Sequence, residues 1–306
     1  LTARREYDIY AIGAQESGGS ETEWRAEVKR HLRGDDYYQV GYAKLLQMRL
    51  VVFARESLRA RISHVQTSTV ATGIANKVGN KGGVGVSFFV GGSSLCFINS
   101  HLAANAEKCR RRNQNFRDIL TRMQLGQKRL VSFDITNQFD HLFWFGDLNY
   151  RLDMDVEDAI TAIKEERWDD LRPHDQLMNE RARNTVFHGF EEGVINFAPT
   201  YRYKRGERKT YEWEKQKSGF IRINVPSWCD RVLWKSFPNA NIKQTSYGCT
   251  NDVVTSDHSP VFATFEVGVH NQYVSKEAKT TEGGTSANCI LRMHTVTASV
   301  QSASST

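Results

Sequence analysis

Three short segments place acidic residues and a histidine where strand-like runs begin or end. In the first, the aromatic run His141–Phe145 is followed by Gly146 and delivers Asp147 and Asn149 two residues apart. Alternate residues of an extended chain point to the same side, so this carboxylate and this amide could hold one water or one phosphate oxygen. The alternative is an Asx-turn that only closes the strand.

The other two segments are Val225–Trp234, which contains Asp230, and Thr255–Pro260, which contains Asp257 and His258. A carboxylate beside a histidine can hold the imidazole in one tautomer and keep it protonated near a phosphate. A single histidine is more often structural. Here further acidic residues lie at other strand ends, and they favour a catalytic role for His258 over a structural one.

Further candidates follow two other apolar runs. Glu16 comes after the run Ile9–Ala14, and a carboxylate at a strand end is a hard oxygen ligand suited to Mg²⁺. His101 comes after the run Leu95–Asn99 and is a candidate phosphate contact. The glycine-dense segment Gly73–Gly83 would let backbone approach a phosphate, but it lacks the spacing of a nucleotide P-loop.

Composition and cysteine usage exclude several classes of protein. The chain has 306 residues, of which 40% are hydrophobic and 25% charged, values typical of a folded globular protein rather than a disordered one. It contains no apolar run long enough to span a bilayer. Five widely spaced cysteines argue against a disulfide framework or a zinc site and fit a reducing cytosol. The chain lacks a G-x-S-x-G motif, and Arg231 follows Cys229 too closely for a cysteine loop that binds phosphate. We therefore expect neither a serine nor a cysteine nucleophile.

The net charge of +6 is concentrated in one segment. Residues 201–222 hold eight basic residues against three acidic ones and are interleaved with tyrosine and tryptophan, whereas residues 152–192 hold twelve acids against five bases. A basic, aromatic segment indicates a polyanionic ligand, which could be nucleic acid, an anionic membrane or a phosphorylated small molecule. The segment could also be a solvated surface loop.

The elements that must position these residues alternate between strands and helices. The strand-like runs are rich in Val, Ile and Phe, and they are residues 8–14, 50–54, 84–90, 94–99, 142–145, 231–234 and 261–267. Helical patterns cover residues 21–33, 111–123 and 155–167. A short glycine-containing connection between residues 90 and 94 predicts a hairpin, so we expect an α/β protein with mixed sheets. Residues 270–288 have the composition of a polar linker, and residues 289–300 could begin a following domain.

The motifs together resemble one family. FWFGDLNYR, VPSWCDRVLW and SDHSP resemble the inositol polyphosphate 5-phosphatases, over about residues 8–269. The segments TGIAN, GNKG, RRNQNF, FAPTYRYKRG and KQKSG are most similar to the Src-homology-2-containing inositol 5-phosphatases. This resemblance implies an α/β fold in which two mixed β-sheets form a four-layer sandwich flanked by helices, as in the endonuclease/exonuclease/phosphatase group. It assigns residues 1–269 to the catalytic domain and residues 270–306 to a linker and the possible start of a β-sandwich domain.

The resemblance also implies roles for individual residues in a Mg²⁺-dependent in-line attack of water on the 5-phosphate of a phosphoinositide. Glu16 and Asp257 match metal-binding positions. Asp147 and Asn149 match the pair that positions and deprotonates the water, and His258, held by Asp230, matches the histidine that stabilises the phosphoryl group. His101 matches a further phosphate contact. The implied substrate-binding residues are Asn76, Lys77, Asn80, Lys81, Tyr201, Arg202, Lys204, Lys215, Lys217 and Arg231.

The implied activity is hydrolysis of phosphatidylinositol 3,4,5-trisphosphate to the 3,4-bisphosphate, which would dampen phosphoinositide 3-kinase signalling. The implied location is the cytoplasm, with peripheral recruitment to the anionic plasma membrane and without nucleic acid as a ligand. The alternatives are action on phosphatidylinositol 4,5-bisphosphate or soluble inositol polyphosphates, a nuclease of the same fold, and an inactive phosphoinositide-binding module. Family members begin with a strand that carries a Trp-Asn pair, which nothing before Asp8 matches, so we expect an exposed sheet edge there.

Overall fold

The computed structural model describes residues 7–32, 36–73, 80–126, 133–217, 219–238, 240–270 and 289–299. Its strands are β1 (Ile9–Gln15), β2 (Tyr37–Leu45), β3 (Met48–Arg55), β4 (Ile62–Ala71), β5 (Gly82–Val90), β6 (Ser93–His101), β7 (His141–Asp147), β8 (Glu191–Glu192), β9 (Glu214–Lys217), β10 (Phe220–Ile223), β11 (Asp230–Ser236), β12 (Ile242–Cys249), β13 (Val261–Val269) and β14 (Cys289–Ser299). Its α-helices are α1 (Glu21–His31), α2 (Cys109–Arg122), α3 (Val156–Lys164), α4 (Trp168–Leu171) and α5 (Gln176–Ala182). All seven predicted strands and all three predicted helices are confirmed, with ends shifted by a few residues.

Two six-stranded sheets form the centre of the molecule. The first has the order β12-β13-β14-β1-β3-β2 and the second the order β4-β5-β6-β7-β11-β8, while β9 and β10 form a separate hairpin. Each large sheet contains one parallel pair, β1 with β14 and β6 with β7, among antiparallel pairs. Both sheets are therefore mixed, as predicted.

The core lies between the facing sheets. Apolar side chains of both sheets form one buried cluster, in which Phe97 of β6 stacks on Phe143 of β7 at 5.3 Å between ring centroids, and Phe143 meets Phe265 of β13 at 5.0 Å. Period-two alternation in the strands directs these side chains inward.

Helices cover the outer faces of the two sheets. Phe116 of α2 packs on Trp144 of the second sheet, and Trp24 of α1 packs over the outer face of the first. The side chain of Ser20 caps α1 by accepting from the backbone N–H of Glu23 at 3.3 Å. The predicted four-layer sandwich is confirmed.

The last described segment corrects the predicted domain boundary. Residues 289–299 do not begin a separate domain, because β14 lies inside the first sheet and pairs in parallel with β1 and antiparallel with β13. β1 also pairs with β3, so it has a neighbour on both sides and the expected exposed edge is not found there. All of the predicted linker after residue 270 lies outside the described residues. Within the described part of the chain, no helix is long and apolar enough to cross a membrane.

Candidate active site

Strand register brings three of the predicted site residues into one row. β6 and β7 run in parallel with His101 opposite Asp147, and β11 runs antiparallel to β7 with Asp230 opposite Asp147. Residues in register on neighbouring strands point to the same face of a sheet, so the imidazole and both carboxylates emerge together at one end of the second sheet. All three side chains are buried.

Asp147 is held by hydrogen bonds to both carboxylate oxygens. Oδ1 accepts from the backbone N–H of Asn149 at 3.0 Å, and Oδ2 accepts from Nδ2 of Asn149 at 2.9 Å and lies 3.1 Å from Nε2 of His101. Burial opposes ionisation of Asp147, but the contact with His101 and the charges of His258 and Lys81 outweigh it and hold its pKa well below the usual range. Asp147 is therefore a carboxylate at any physiological pH.

The backbone at the end of β7 is specialised for this arrangement. Gly146 has φ +130°, and a Cβ there would lie 2.1 Å from the carbonyl oxygen of Ser100 on β6. Asn149 has φ +58°, in the left-handed region that asparagine tolerates better than most residues. The turn curls Asn149 back onto Asp147. An Asx-turn does close the strand, and it also shapes the site.

Asp230 holds the second histidine. Nδ1 of His258 lies 2.8 Å from Oδ2 of Asp230, which also accepts from the hydroxyl of Thr200 at 2.8 Å. Burial alone would lower the pKa of His258, but the charge and hydrogen bond of Asp230, aided by Asp147 and Asp257, outweigh it and raise the pKa to about 9. The imidazole is therefore a cation at neutral pH, with Nε2 turned away from Asp230.

The oxygen donors of the site fit a hard divalent cation. One carboxylate oxygen from each of Asp147 and Asp230 lies within 4.8 Å of the other and of a ring nitrogen of His258, and only the two oxygens are free to bind a metal while that ring is protonated. The buried Oδ1 atoms of Asp230 and Asp257 accept no hydrogen bond from the described residues, although Nη2 of Arg205 lies 3.9 Å from that of Asp257. Glu16 follows β1 with φ +52°, and its charge acts on both His101 and Lys81. Carboxylate oxygens in this number suit Mg²⁺ rather than a thiolate-seeking metal.

Two of the predicted substrate-binding residues in the glycine-dense segment can be placed. Lys81 immediately precedes β5, and its Nζ contacts Nε2 of His101. It therefore lies directly beside the predicted catalytic residues. Asn80 is exposed. Asn76 and Lys77 lie outside the described residues.

The basic segment borders the same site. The ring of Tyr201 lies 4.4 Å from the imidazole of His258, and Nε of Arg202 lies 3.4 Å from Oδ2 of Asp257. Arg202 also lines an open cavity of about 510 Å³ together with Lys215, which is exposed. Lys204 is exposed and pairs with Glu207 at 3.1 Å. The side chain of Lys217 lies outside the described part.

Arg231 corrects the sequence prediction. The family resemblance implies that it binds substrate, but its side chain is fully buried behind the row, where its guanidinium pairs with Asp175 at 3.0 Å and with Glu192 at 2.6 Å. Arg231 is next to Asp230 in sequence, and alternation along β11 directs it to the opposite face of the sheet. A ligand phosphate has no access to it.

Two residues that sequence reasoning left without a role touch the catalytic groups. Thr200 accompanies Asp230, as described above, and Arg151 donates from Nη2 to Oδ1 of Asn149 at 2.6 Å. Arg151 belongs to the FWFGDLNYR motif and stands two residues after Asn149, a spacing that could have suggested it. Thr200 belongs to the FAPTYRYKRG segment, but only the folded chain brings it to Asp230 on β11.

The chain belongs to the endonuclease/exonuclease/phosphatase family 2, which it matches over residues 2–264. It is 52% identical over 274 residues to phosphatidylinositol 3,4,5-trisphosphate 5-phosphatase 2A of Danio rerio, an alignment that covers 89% of this chain and 22% of the relative. It is 48% identical over 309 residues to phosphatidylinositol 3,4,5-trisphosphate 5-phosphatase 2 of Homo sapiens, covering 100% of this chain and 24% of the relative. The chain thus spans about a quarter of the length of these relatives.

A solved structure agrees in fold. The inositol polyphosphate 5-phosphatase domain of SPsynaptojanin, crystallised with inositol (1,4)-bisphosphate and calcium ion, superposes with a TM-score of 0.73 at 28% identity, covering 96% of this chain and 76% of that one. The resemblance to inositol 5-phosphatases that the motifs indicated is confirmed by these comparisons.

Proposed function

We propose that this chain is the catalytic part of a Mg²⁺-dependent 5-phosphatase that converts phosphatidylinositol 3,4,5-trisphosphate to phosphatidylinositol 3,4-bisphosphate, and so dampens phosphoinositide 3-kinase signalling. One observation carries the proposal. The side chains of His101, Asp147, Asp230 and His258 meet at the end of one sheet, in a chain that is about half identical to enzymes named for this reaction.

The protein groups suit hydrolysis by water. Asp147 is an ionised, doubly anchored carboxylate, so it can orient a water for in-line attack and take its proton as the bond to phosphorus forms. The bond from phosphorus to the inositol 5-oxygen breaks in the same displacement. That oxygen leaves as the alcohol by taking a proton from solvent, and Asp147 returns its proton to solvent. Protonated His258 can donate from Nε2 to a phosphoryl oxygen, because Asp230 fixes Nδ1. His101 and Lys81 offer further contacts to the same phosphate.

Glu16, Asp257 and the neighbouring carboxylates would hold the Mg²⁺. When bound, this ion would supply Lewis-acid stabilisation of the charge on the phosphoryl oxygens. Among the described residues, the buried Oδ1 atoms of Asp230 and Asp257 accept no hydrogen bond, and this supports a cation here, because such oxygens are costly to leave without one.

The basic segment would recognise the rest of the headgroup. Arg202 reaches both the catalytic Asp257 and the cavity that Lys215 lines, so a phosphate next to the one that is hydrolysed would meet positive charge there. Tyr201, Lys204 and Lys217 are proposed to contribute to the same subsite, and Asn76, Lys77 and Asn80 to the 1-phosphate and lipid side.

The test is product identification. The protein is incubated with a short-chain 3,4,5-trisphosphate lipid, with Mg²⁺ or with chelator, and the bisphosphate is identified by mass and chromatography. Formation of the 3,4-bisphosphate only with Mg²⁺, and its loss in Asp147→Ala, would support the proposal. Release of a different phosphate, or preference for the 4,5-bisphosphate or a soluble inositol polyphosphate, would reject the substrate.

Two further assays distinguish a phosphatase from a nuclease and from a binding module. Cleavage of DNA above the level of Asp147→Ala would indicate a nuclease, and lipid binding without phosphate release would indicate a binding module.

We further propose peripheral, electrostatic contact with anionic membranes through residues 201–222. Association with anionic vesicles should then weaken as salt rises, and an unchanged association would refute this contact.

A further inference from the structure

Arg151 is a buried cation without a carboxylate partner. Its side chain is almost fully inaccessible, and within the described part of the chain it forms no salt bridge, although the more distant charge of Asp147 helps to raise the pKa of its guanidinium. By contrast, buried Arg231 pairs with two carboxylates. Burying a charge without an ion pair is expensive, so the contacts that Arg151 makes instead require an explanation.

The first contact fixes the amide of Asn149. Nη2 of Arg151 donates to Oδ1 of Asn149 at 2.6 Å, and Nε donates to its backbone oxygen at 3.1 Å. Because a guanidinium can only donate, the amide oxygen must face Arg151 and the amide NH₂ must face the other way. That NH₂ donates to Oδ2 of Asp147 at 2.9 Å and to the backbone oxygen of Leu102 at 3.2 Å.

The second contact reaches the other half of the site. The guanidinium carbon of Arg151 lies 4.5 Å from the centroid of the Tyr201 ring, at cation–π distance. The same ring lies 4.4 Å from the imidazole of His258. Arg151 therefore contacts Asn149, which anchors the water-orienting carboxylate of Asp147. It also contacts Tyr201, which packs on His258. Its own side chain is buried away from the substrate.

We propose that Arg151 is a positioning residue that fixes the Asn149 amide in the orientation that anchors Asp147 and that holds Tyr201 against His258. It acts on the reaction through Asn149 and Tyr201 and does not contact substrate. This inference rests on the proposed function for its kinetic consequence only, because the orientation of the amide can be measured without turnover.

A double-mutant cycle tests the path through Asn149. Arg151→Met is expected to lower kcat by about 100-fold, the effect of a displacement of about 1 Å at a reacting group, and to leave KM within about threefold. Asn149→Ala removes the amide on which Arg151 acts. In that background, Arg151→Met is expected to lower kcat by a further factor of about three or less, because most of the coupling is already lost. Equal losses in both backgrounds, or a rise in KM with unchanged kcat, would overturn the proposal.

A second readout keeps the inference testable if Arg151→Met folds poorly or if the protein has a different substrate. Arg151→Lys keeps the charge but cannot donate to both oxygens of Asn149 while lying on Tyr201. In the Arg151→Lys variant, the side-chain NH₂ of Asn149 is expected to exchange its hydrogens with solvent at least tenfold faster than in the wild type, as measured by NMR. An unchanged exchange rate would show that Arg151 does not fix the amide.

Arg172→Met is the matched control. Arg172 is partly buried, pairs with Asp169, and donates to the backbone oxygen of Ile195 at 2.9 Å and to the side chain of Asn196 at 2.7 Å, but among the described residues it contacts none of the site. Its removal is expected to lower the melting temperature with kcat unchanged within twofold and with normal Asn149 exchange. A loss of kcat equal to that of Arg151→Met would indicate a general packing effect and reject a specific positioning role.

Discussion

Asp147 and Asp230 are register partners on adjacent antiparallel strands, so two buried carboxylates stand side by side on one face of the second sheet. Like charges at this separation repel, and each carboxylate is offset by a different set of partners. Asp230 is bonded to His258 and Thr200, whereas Asp147 is bonded to Asn149 and lies next to His101. The two acids can therefore have different roles, one fixing a histidine and the other facing water.

Asp147→Asn is expected to abolish most of the activity. The amide keeps the shape of the side chain but cannot take a proton from water, so kcat should fall by about 10³-fold with little change in KM. Initial rates with the 3,4,5-trisphosphate lipid would measure this, and unchanged far-ultraviolet circular dichroism would control for folding. Activity within tenfold of the wild type would show that Asp147 is not the group that accepts the proton.

The His258–Asp230 pair predicts a pH dependence of stability in the metal-free protein. The folded-state pKa of His258 is raised to about 9, above its unfolded value of about 6.5. Its contribution to the free energy of unfolding is therefore complete below about pH 6.5 and is lost as the pH rises through about 9. Imidazole NMR shifts would give the pKa directly, and urea unfolding at several pH values would give the stability.

Asp230→Asn is the matched variant for this titration. Without the charge of Asp230, burial should dominate and the pKa of His258 should fall, since burial is the largest influence that opposes protonation. The stability difference between the wild type and the variant should then shrink between pH 6.5 and 9. A pKa of His258 that stayed near 9 in the variant would contradict the assigned cause.

Divalent metal should stabilise the folded chain. The carboxylates of Asp147 and Asp230 lie close together in one buried site, with buried Asp257 acting on the neighbouring His258, and a bound cation would relieve the repulsion between them. At a Mg²⁺ concentration 100 times its Kd, the free energy of unfolding should rise by about 2.7 kcal/mol. Thermal unfolding with Mg²⁺ and with chelator would show this as a shift in Tm. Asp257→Ala should reduce the shift, and an equal shift in that variant would place the metal elsewhere.

Arg231→Met is expected to affect folding, not substrate affinity. It would leave the buried carboxylate of Asp175 without its cation and take one of two cations from Glu192, which keeps Arg181, at a cost of about 3–5 kcal/mol in the free energy of unfolding. Lys215→Met, on the exposed wall of the cavity, should do the reverse and raise KM with unchanged stability. Denaturant unfolding and steady-state kinetics on both variants would distinguish the two roles, and a raised KM in the folded Arg231 variant would show that Arg231 binds substrate after all.

Gly146→Ala should disrupt the site from within the backbone. Its Cβ would lie 2.1 Å from the carbonyl oxygen of Ser100, and backbone cannot yield as a flexible side chain can. Gly206→Ala is the control, because Gly206 also has a positive φ but no atom of the described residues lies within 4 Å of the added Cβ. Gly206→Ala should lower the free energy of unfolding by about 1 kcal/mol through backbone strain, and Gly146→Ala should lower it several times more. Equal melting temperatures for the two variants would show that β6 and β7 can separate without cost.

Most of the fold could be predicted from the sequence, because the buried strands are short apolar runs with clear ends. β7 and β11 are examples, and their register follows once the two runs pair. β4 and β12 escaped prediction because both lie at sheet edges, where polar and exposed residues interrupt the alternation. The place of β14 could not be predicted because it depends on pairing with β1, at the other end of the chain.

The site was predictable to the extent that its residues lie at strand ends. Asp147, Asp230 and His258 were found in this way, and the structure brings them together. Residue type alone could not show that Arg231 points to the buried face while Asp230 points to the site, because that depends on the phase of the strand. It also could not show that Arg151 meets Tyr201, a contact between residues 50 positions apart that only the folded chain creates.

The position of β14 has a consequence for how the chain assembles. The second sheet draws on residues 62–236 and can form while the rest of the chain is still being synthesised. The first sheet cannot close in the same way, because Ile9 pairs with Met293, nearly the whole length of the described chain away. Until residues 289–299 leave the ribosome, β1 and β13 each have an unpaired edge open to other chains. We therefore expect slow, late closure of the first sheet, and chaperones should engage nascent chains that stop before residue 289 more strongly than longer ones.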